Sequence, residues 1–124
     1  MARDRRGMSL LVIIRCPPYG SSLARASLEV ALAAAAFDQK VSLLFLGDGV
    51  LQLLPGQDSQ ALGRKNQERT LASLPLYDIE QVYLDAEAAG RYGVDPLAAP
   101  VPAVILGTGQ IQQLLRTHDR LLPF

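Results

Sequence analysis

The stretch that decides the fold is SLLVIIRCPPYGSSLARASLEVALAAAAF, residues 9–37. It begins with a continuous apolar run of strand length, and such a run suits a strand buried on both faces of a parallel sheet. A Pro-Gly loop follows, in which Ser21 or Ser22 offers a helix N-cap. The segment 23–37 then reads as a helix whose polar residues, Arg25, Ser27 and Glu29, all lie in its first half. From Ala31 to Phe37 no polar side chain occurs. A helix apolar all round needs cover on more than one side. One side is the sheet, and a second subunit against Ala33–Phe37 or the nearby GVLQLL turn is expected on the other.

The same alternation continues along the chain. KVSLLF is a second buried strand, ending in the turn Gly47-Asp48-Gly49, and VLQLL is a short helix or turn. PGQDSQALG is loop by composition. NQERTLASL reads as a helix ended by Pro75, IEQVYLD as a third strand, and AEAAGRYGVDP as a short helix broken by glycine. APVPAVIL is a fourth strand with its prolines near the start, where a missing N–H is tolerable. Thr108 is placed to cap a last helix with the stripe Ile111, Leu114 and Leu115, and RLLPF is a terminal strand. Strands alternating with helices imply an α/β class, a three-layer α/β/α domain with a mainly parallel sheet of about five strands. Residues 8–124 are expected to form this one domain, and residues 1–7 a disordered extension.

Composition narrows the function classes. The 124 residues are 49% hydrophobic and 6% aromatic, with 12 basic and 12 acidic side chains. Three of the arginines lie within residues 1–7, so the body is slightly acidic. A protein that grips phosphates directly shows a basic face, so direct nucleic-acid binding is not expected. No apolar run approaches the roughly 18 residues of a membrane span, and no secretory signal is visible. A single cysteine forms no internal disulfide, which fits a cytoplasmic protein.

That cysteine, Cys16, sits between a strand and a helix N-terminus, where a thiol pKa can be lowered. Yet Tyr19 stands where a C-x-x-C motif would place its resolving thiol, and Ser22 where a C-x5-R loop would place its arginine. A structural loop cysteine is the plainer reading. Gly20, Gly47, Asp48 and Gly49 fall at the carboxyl edge of the sheet, where open α/β folds bind ligands. No G-x-G-x-x-G or phosphate loop accompanies them, and Asp48 reads as a turn former. His118 has no second metal-ligating residue near it and reads as a solvent-facing residue at a helix end, so no metal or cofactor is expected.

In order along the chain, PPYG, SLEVAL, AAFDQ, LFLGDGV, LLPGQD, GRKN and LYDIEQVYLD, with the terminal DRLLPF, resemble the DsrE/DsrF sulfur-relay superfamily, closest to its TusC/DsrF branch. The resemblance implies a parallel α/β fold and a heterohexamer of two copies each of three related chains. It also implies that a TusD-like or DsrE-like chain carries a persulfide cysteine just after the third strand. Aligned through Gly93-Val94, that position here is Asp85. A carboxylate cannot carry sulfane sulfur, because the exchange needs a polarisable thiolate that attacks and is attacked at sulfur. The resemblance thus implies a non-catalytic subunit beside TusB-like and TusD-like (or DsrH-like and DsrE-like) partners. Such a complex would pass sulfur from a TusA-like donor toward a TusE-like acceptor for 2-thiolation of the tRNA wobble uridine, or serve sulfur oxidation as a DsrF-like assembly. A stand-alone sulfurtransferase using Cys16 and a small flavodoxin-like nucleotide module are the alternatives from other classes.

Overall fold

The structure is a computed structural model that describes residues 9–18, 22–54 and 62–124, with the side chains of 62–66 left aside. The strands are β1 (Ser9–Ile14), β2 (Lys40–Phe45), β3 (Gln81–Asp85), β4 (Val104–Leu106) and β5 (Arg120–Pro123). The helices are α1 (Leu23–Ala36), α2 (Leu62–Ser73), α3 (Ala86–Tyr92) and α4 (Thr108–Thr117). Two longer 3-10 segments, Gly47–Leu53 and Leu74–Tyr77, lie in the connection from β2 to β3.

All five strands are parallel in the order β4-β3-β2-β1-β5. From β1 to β4 the chain advances steadily across the sheet, so right-handed crossovers place α1, α2 and α3 on one face. The step from β4 to β5 reverses direction and returns to the far edge, which puts α4 on the other face. The packing follows this rule. Leu10, Val12, Ile14, Val41, Leu43, Phe45, Val82 and Leu84 point into one core with Leu28, Leu71, Leu74 and Ala88. Leu11, Ile13 and Leu44 point the other way and meet Ile111, Leu114 and Leu115 of α4. Both faces of β1 and β2 are therefore covered and largely apolar, with Ser42 the one buried polar side chain between them.

Several boundaries differ from the sequence reading for identifiable reasons. The strand read in 99–106 is only Val104–Leu106, because Pro100 and Pro102 remove donors that the ladder would need. α2 begins at Leu62, ahead of the reading that started at Asn66. Pro75 ends the α-helix, but the chain continues through it as a 3-10 turn closed by Asp78 at φ 65°. Gly90 does not break α3; Gly93, at φ 69°, ends it. The extension read in residues 1–7, the PPYG turn beyond Pro18 and most of the PGQDSQALG loop lie outside the described residues.

On α1, only Ala24, Ser27, Leu28 and Ala31 are buried. Ala33, Ala36 and Phe37 are exposed, so among the described residues the apolar second half is covered on one side only.

Candidate functional site

The carboxyl edge of the sheet carries the residues singled out above, and they fall into two separate places. The first is the end of β1. Cys16 is 8% exposed and packs into the larger core. The side-chain amide of Gln52 donates to the Cys16 carbonyl at 3.0 Å and approaches its Sγ at 3.8 Å. Gln67 on α2 donates to the Gln52 side-chain oxygen at 2.9 Å and to the Ala24 carbonyl at 3.2 Å. Gln52 is completely buried and Gln67 nearly so. Gln67 thus donates to Gln52 and Gln52 to Cys16, a relay of buried amides that ties the β1–α1 loop, the 3-10 segment and α2 together. Burial pushes the Cys16 thiol pKa up, and the hydrogen bonds from the backbone and Gln52 offset this only in part. The thiol is held neutral, the opposite of the thiolate a nucleophile needs.

No histidine is at hand to act as its base. His118 follows α4 at the amino edge, beside the Asp119 N–H that donates to the Ser9 carbonyl at 3.1 Å. Cys16 lies beyond the other end of β1, a strand of six residues that spans about 20 Å. His118 is also not the solvent-facing residue expected from sequence. It is half-buried, with Nδ1 2.9 Å from the Leu114 carbonyl and Nε2 3.2 Å from the Ser42 hydroxyl. The carbonyl can only accept, so Nδ1 carries a proton toward Leu114, and Nε2 and the Ser42 hydroxyl share a second hydrogen bond.

The second place is the junction of β3 with α3. Here Asp85 ends β3 and caps α3, its carboxylate accepting from the Glu87 and Ala88 N–H groups at 3.4 Å each. Across the sheet it pairs with Leu106, the last residue of β4. From these neighbouring strand ends the chain departs to opposite faces, into α3 on one side and α4 on the other. Such a divergence opens the crevice in which open parallel sheets bind ligands. On the far wall, the Gln110 side chain accepts from the Gly107 N–H at 2.9 Å, so Gly107 is the N-cap position and Thr108 is already helical. At the end of α3, the Tyr92 hydroxyl donates to Asp48 at 2.5 Å, and Arg91 lies over the Tyr92 ring. The bond to Asp48 is the first cause that raises the Tyr92 pKa. Asp48 therefore fastens the 3-10 segment to α3, rather than serving the turn alone.

Among the described residues no group of three or more His, Cys, Asp or Glu side chains converges on a common point, and no helix is long and apolar enough to cross a membrane. Sequence reasoning missed the Gln52–Gln67 pair and the Ser42–His118 contact. Gln52 was signalled only by being polar within an apolar run, and Gln67 by nothing local.

Residues 8–124 match the DsrE/DsrF-like family. The chain belongs to that family. A TusC homolog protein of Pseudomonas aeruginosa is 33% identical over 114 residues, covering 92% of this chain and 96% of the relative. A TusC homolog protein of Vibrio parahaemolyticus is also 33% identical, over 93% of this chain and 98% of the relative. The intracellular sulfur oxidation protein DsrF of Allochromatium vinosum is 44% identical over 80 residues, which are 64% of this chain and 59% of that protein. In fold, the crystal structure of the ychN protein of E. coli superposes with a TM-score of 0.77 at 20% identity, over 94% of this chain and 99% of that one. The family and these relatives make the chain a sulfur-relay family member with the five-stranded parallel fold read from its sequence.

Proposed function

We propose that this chain is the non-catalytic, TusC-like subunit of a cytoplasmic sulfur-relay complex that supplies sulfur for 2-thiolation of the tRNA wobble uridine. Its partners are TusB-like and TusD-like chains, the latter carrying the persulfide, with a TusA-like donor upstream and a TusE-like acceptor downstream. The observation that carries the reading is the state of the only thiol. Cys16 is buried, pinned by Gln52 and pushed toward its neutral form, while Asp85, at the strand end where the resemblance puts a partner's persulfide cysteine, is a carboxylate. A carboxylate there caps α3 but cannot exchange sulfur. The chain's contribution is the surface it presents and the wall it forms beside a partner's cysteine.

A DsrF-like role in sulfur oxidation is favoured by one observation, the 44% identity to DsrF over 80 residues. The two roles separate on product. Reconstituting this chain with its co-encoded related subunits and a radiolabelled persulfide donor should place the label on a partner's cysteine and never on this chain. Deleting the gene should abolish 2-thiouridine in tRNA under the first reading and leave it intact under the second. Label retained on Cys16 would sink both.

A further inference from the structure

The 3-10 segment Gly47–Leu53 is seven residues long, about twice the usual run, although 3-10 hydrogen bonds are poorer than those of an α-helix. Contacts outside the segment must hold it in this form. Its residues fall into three rows, repeating every third position. Gly49 and Gln52 face the end of β1, where Gly49 is pressed against the Ile14 carbonyl and Gln52 donates to the Cys16 carbonyl. Val50 and Leu53 are buried in the larger core. Asp48 and Leu51 form the outer row, and the exposed Asp48 accepts from the Tyr92 hydroxyl of α3.

Two of these anchors set the helix type. At three residues per turn, Asp48 and Gln52 point about 120° apart, so one reaches α3 while the other reaches β1. In an α-helix of 3.6 residues per turn they would point about 40° apart and could not serve both. The α3 end of the link is itself held. Arg91 lies over the Tyr92 ring, 5.5 Å from its centroid, and its guanidinium is 3.7 Å from Glu87 one turn back. At the start of the segment Gly47 has φ 50° and open space where a side chain would stand, which suits a hinge.

We propose that Gly47–Leu53 is a strap with two positions, and that the Asp48–Tyr92 bond keeps it in the 3-10 position, shut over the end of β1. With the bond released, the segment relaxes toward the better bonded α-helical form. Seven residues then shorten from about 14 Å to about 10.5 Å, and Gln52 turns away from the Cys16 carbonyl. The loop that buries the thiol loses its anchor. Because α3 starts at Asp85, a displacement of α3 at the open strand end is passed through the strap to the closed one. One element with two arrangements, biased from both ends, is what such coupling requires. The strap does not depend on the sulfur-relay reading, because no step of its movement involves sulfur transfer.

Cys16 is the only cysteine, so its alkylation by N-ethylmaleimide, followed by mass spectrometry of the purified chain, reads the open position. Tyr92→Phe removes only the hydroxyl and should speed alkylation by about three- to tenfold, the scale of one hydrogen bond. Asp48→Ala should do the same. Asp48→Asn keeps an acceptor for the hydroxyl and should stay near the wild-type rate. The double variant Tyr92→Phe with Asp48→Ala should be no faster than either alone, because both open one bond. Opening the strap exposes little surface, so these rates should hardly change in dilute urea, whereas global unfolding would make them climb steeply. Wild-type rates in Tyr92→Phe and Asp48→Ala would overturn the proposal. So would an Asp48→Asn variant as fast as Asp48→Ala, or effects that multiply in the double variant. Rates that rise only in step with urea unfolding would overturn it too, by assigning the exposure to loss of the whole fold.

Discussion

The ends of β1 and β3 lie two strands apart on one sheet edge and are built in opposite ways. At β1, the chain is locked from every side: Gln52 and Gln67 are buried, and Gly49 is pressed against the strand so closely that an added Cβ would lie 2.0 Å from the Ile14 carbonyl oxygen. At β3, Asp85 is half-buried, its two hydrogen bonds are long, and the chain leaves the neighbouring ends of β3 and β4 toward opposite faces of the sheet. The thiol sits in the closed place and the carboxylate in the open one. A fold that used its thiol would need the reverse. Position within the edge, and not the presence of a cysteine beside a helix, decides whether chemistry is possible.

The most severe way to break this contrast is Gly49→Ala. The new methyl must displace backbone at Ile14 and Arg15, and overpacking against atoms that cannot rotate away costs about 3 kcal/mol or more. Urea unfolding should show a large fall in midpoint. A loss below about 1 kcal/mol would mean that the β1 end relaxes easily and is less closed than its packing implies.

Next in size is Gln52→Leu, of similar volume. It removes the donor to the Cys16 carbonyl and takes one of the two acceptors of the Gln67 amide, which keeps only the Ala24 carbonyl, at a cost of about 1–3 kcal/mol for buried groups stripped of a partner. It should also speed alkylation of Cys16, because the loop that covers the thiol loses its anchor. A stabilising outcome, with no change in thiol access, would show that the amide pair is dispensable.

At the open end the effects shrink. Asp85→Ala should lower stability by only about 0.5–1 kcal/mol, the low end for an N-cap, since both N–H contacts are 3.4 Å. Asp85→Asn should recover most of it. Asp85→Cys should fold equally well but accumulate no persulfide at a partner's rate, because the thiol comes without the docking and activation it requires. Rapid sulfur loading at this position would show a preserved pocket in which only the residue had changed.

Much of this architecture is legible in the sequence, and the limits are physical. β1 is an almost unbroken apolar run and β2 is broken only by Ser42 after its exposed Lys40, because both faces are covered, so their residues announce them. β4 does not, because Ala99–Leu106 has strand-like composition while its prolines confine the ladder to Val104–Leu106. Asp85 can be placed at a strand end from its neighbours, and its capping role follows from that place. The glutamine pair cannot be read, since Gln52 and Gln67 are joined through tertiary packing that no local periodicity encodes. The burial of His118 is hidden for the same reason. Its partner Ser42 stands in the middle of KVSLLF, a polar residue in a buried strand whose hydroxyl needs a partner from elsewhere.

The smallest effect expected is on function, at the residue that first draws attention. Cys16→Ser should leave sulfur transfer by the assembled complex within a few-fold of wild type, because the thiol neither reaches the crevice nor ionises readily. The pH dependence sharpens the point. Burial raises the folded-state pKa above the ordinary value of 9.0, so the folded chain favours the protonated thiol. That contribution is complete below this ordinary value, which the unfolded chain keeps, and is lost as pH rises through the folded value. Alkylation of Cys16 in the folded chain should therefore stay slow at pH 8 and accelerate only beyond about pH 9, and the serine variant should lose this thiol's share of the alkaline destabilisation. A thiol that reacts fully at pH 7 would place a thiolate in the closed end of the sheet, and the contrast between the two strand ends would fail where it is most open to test.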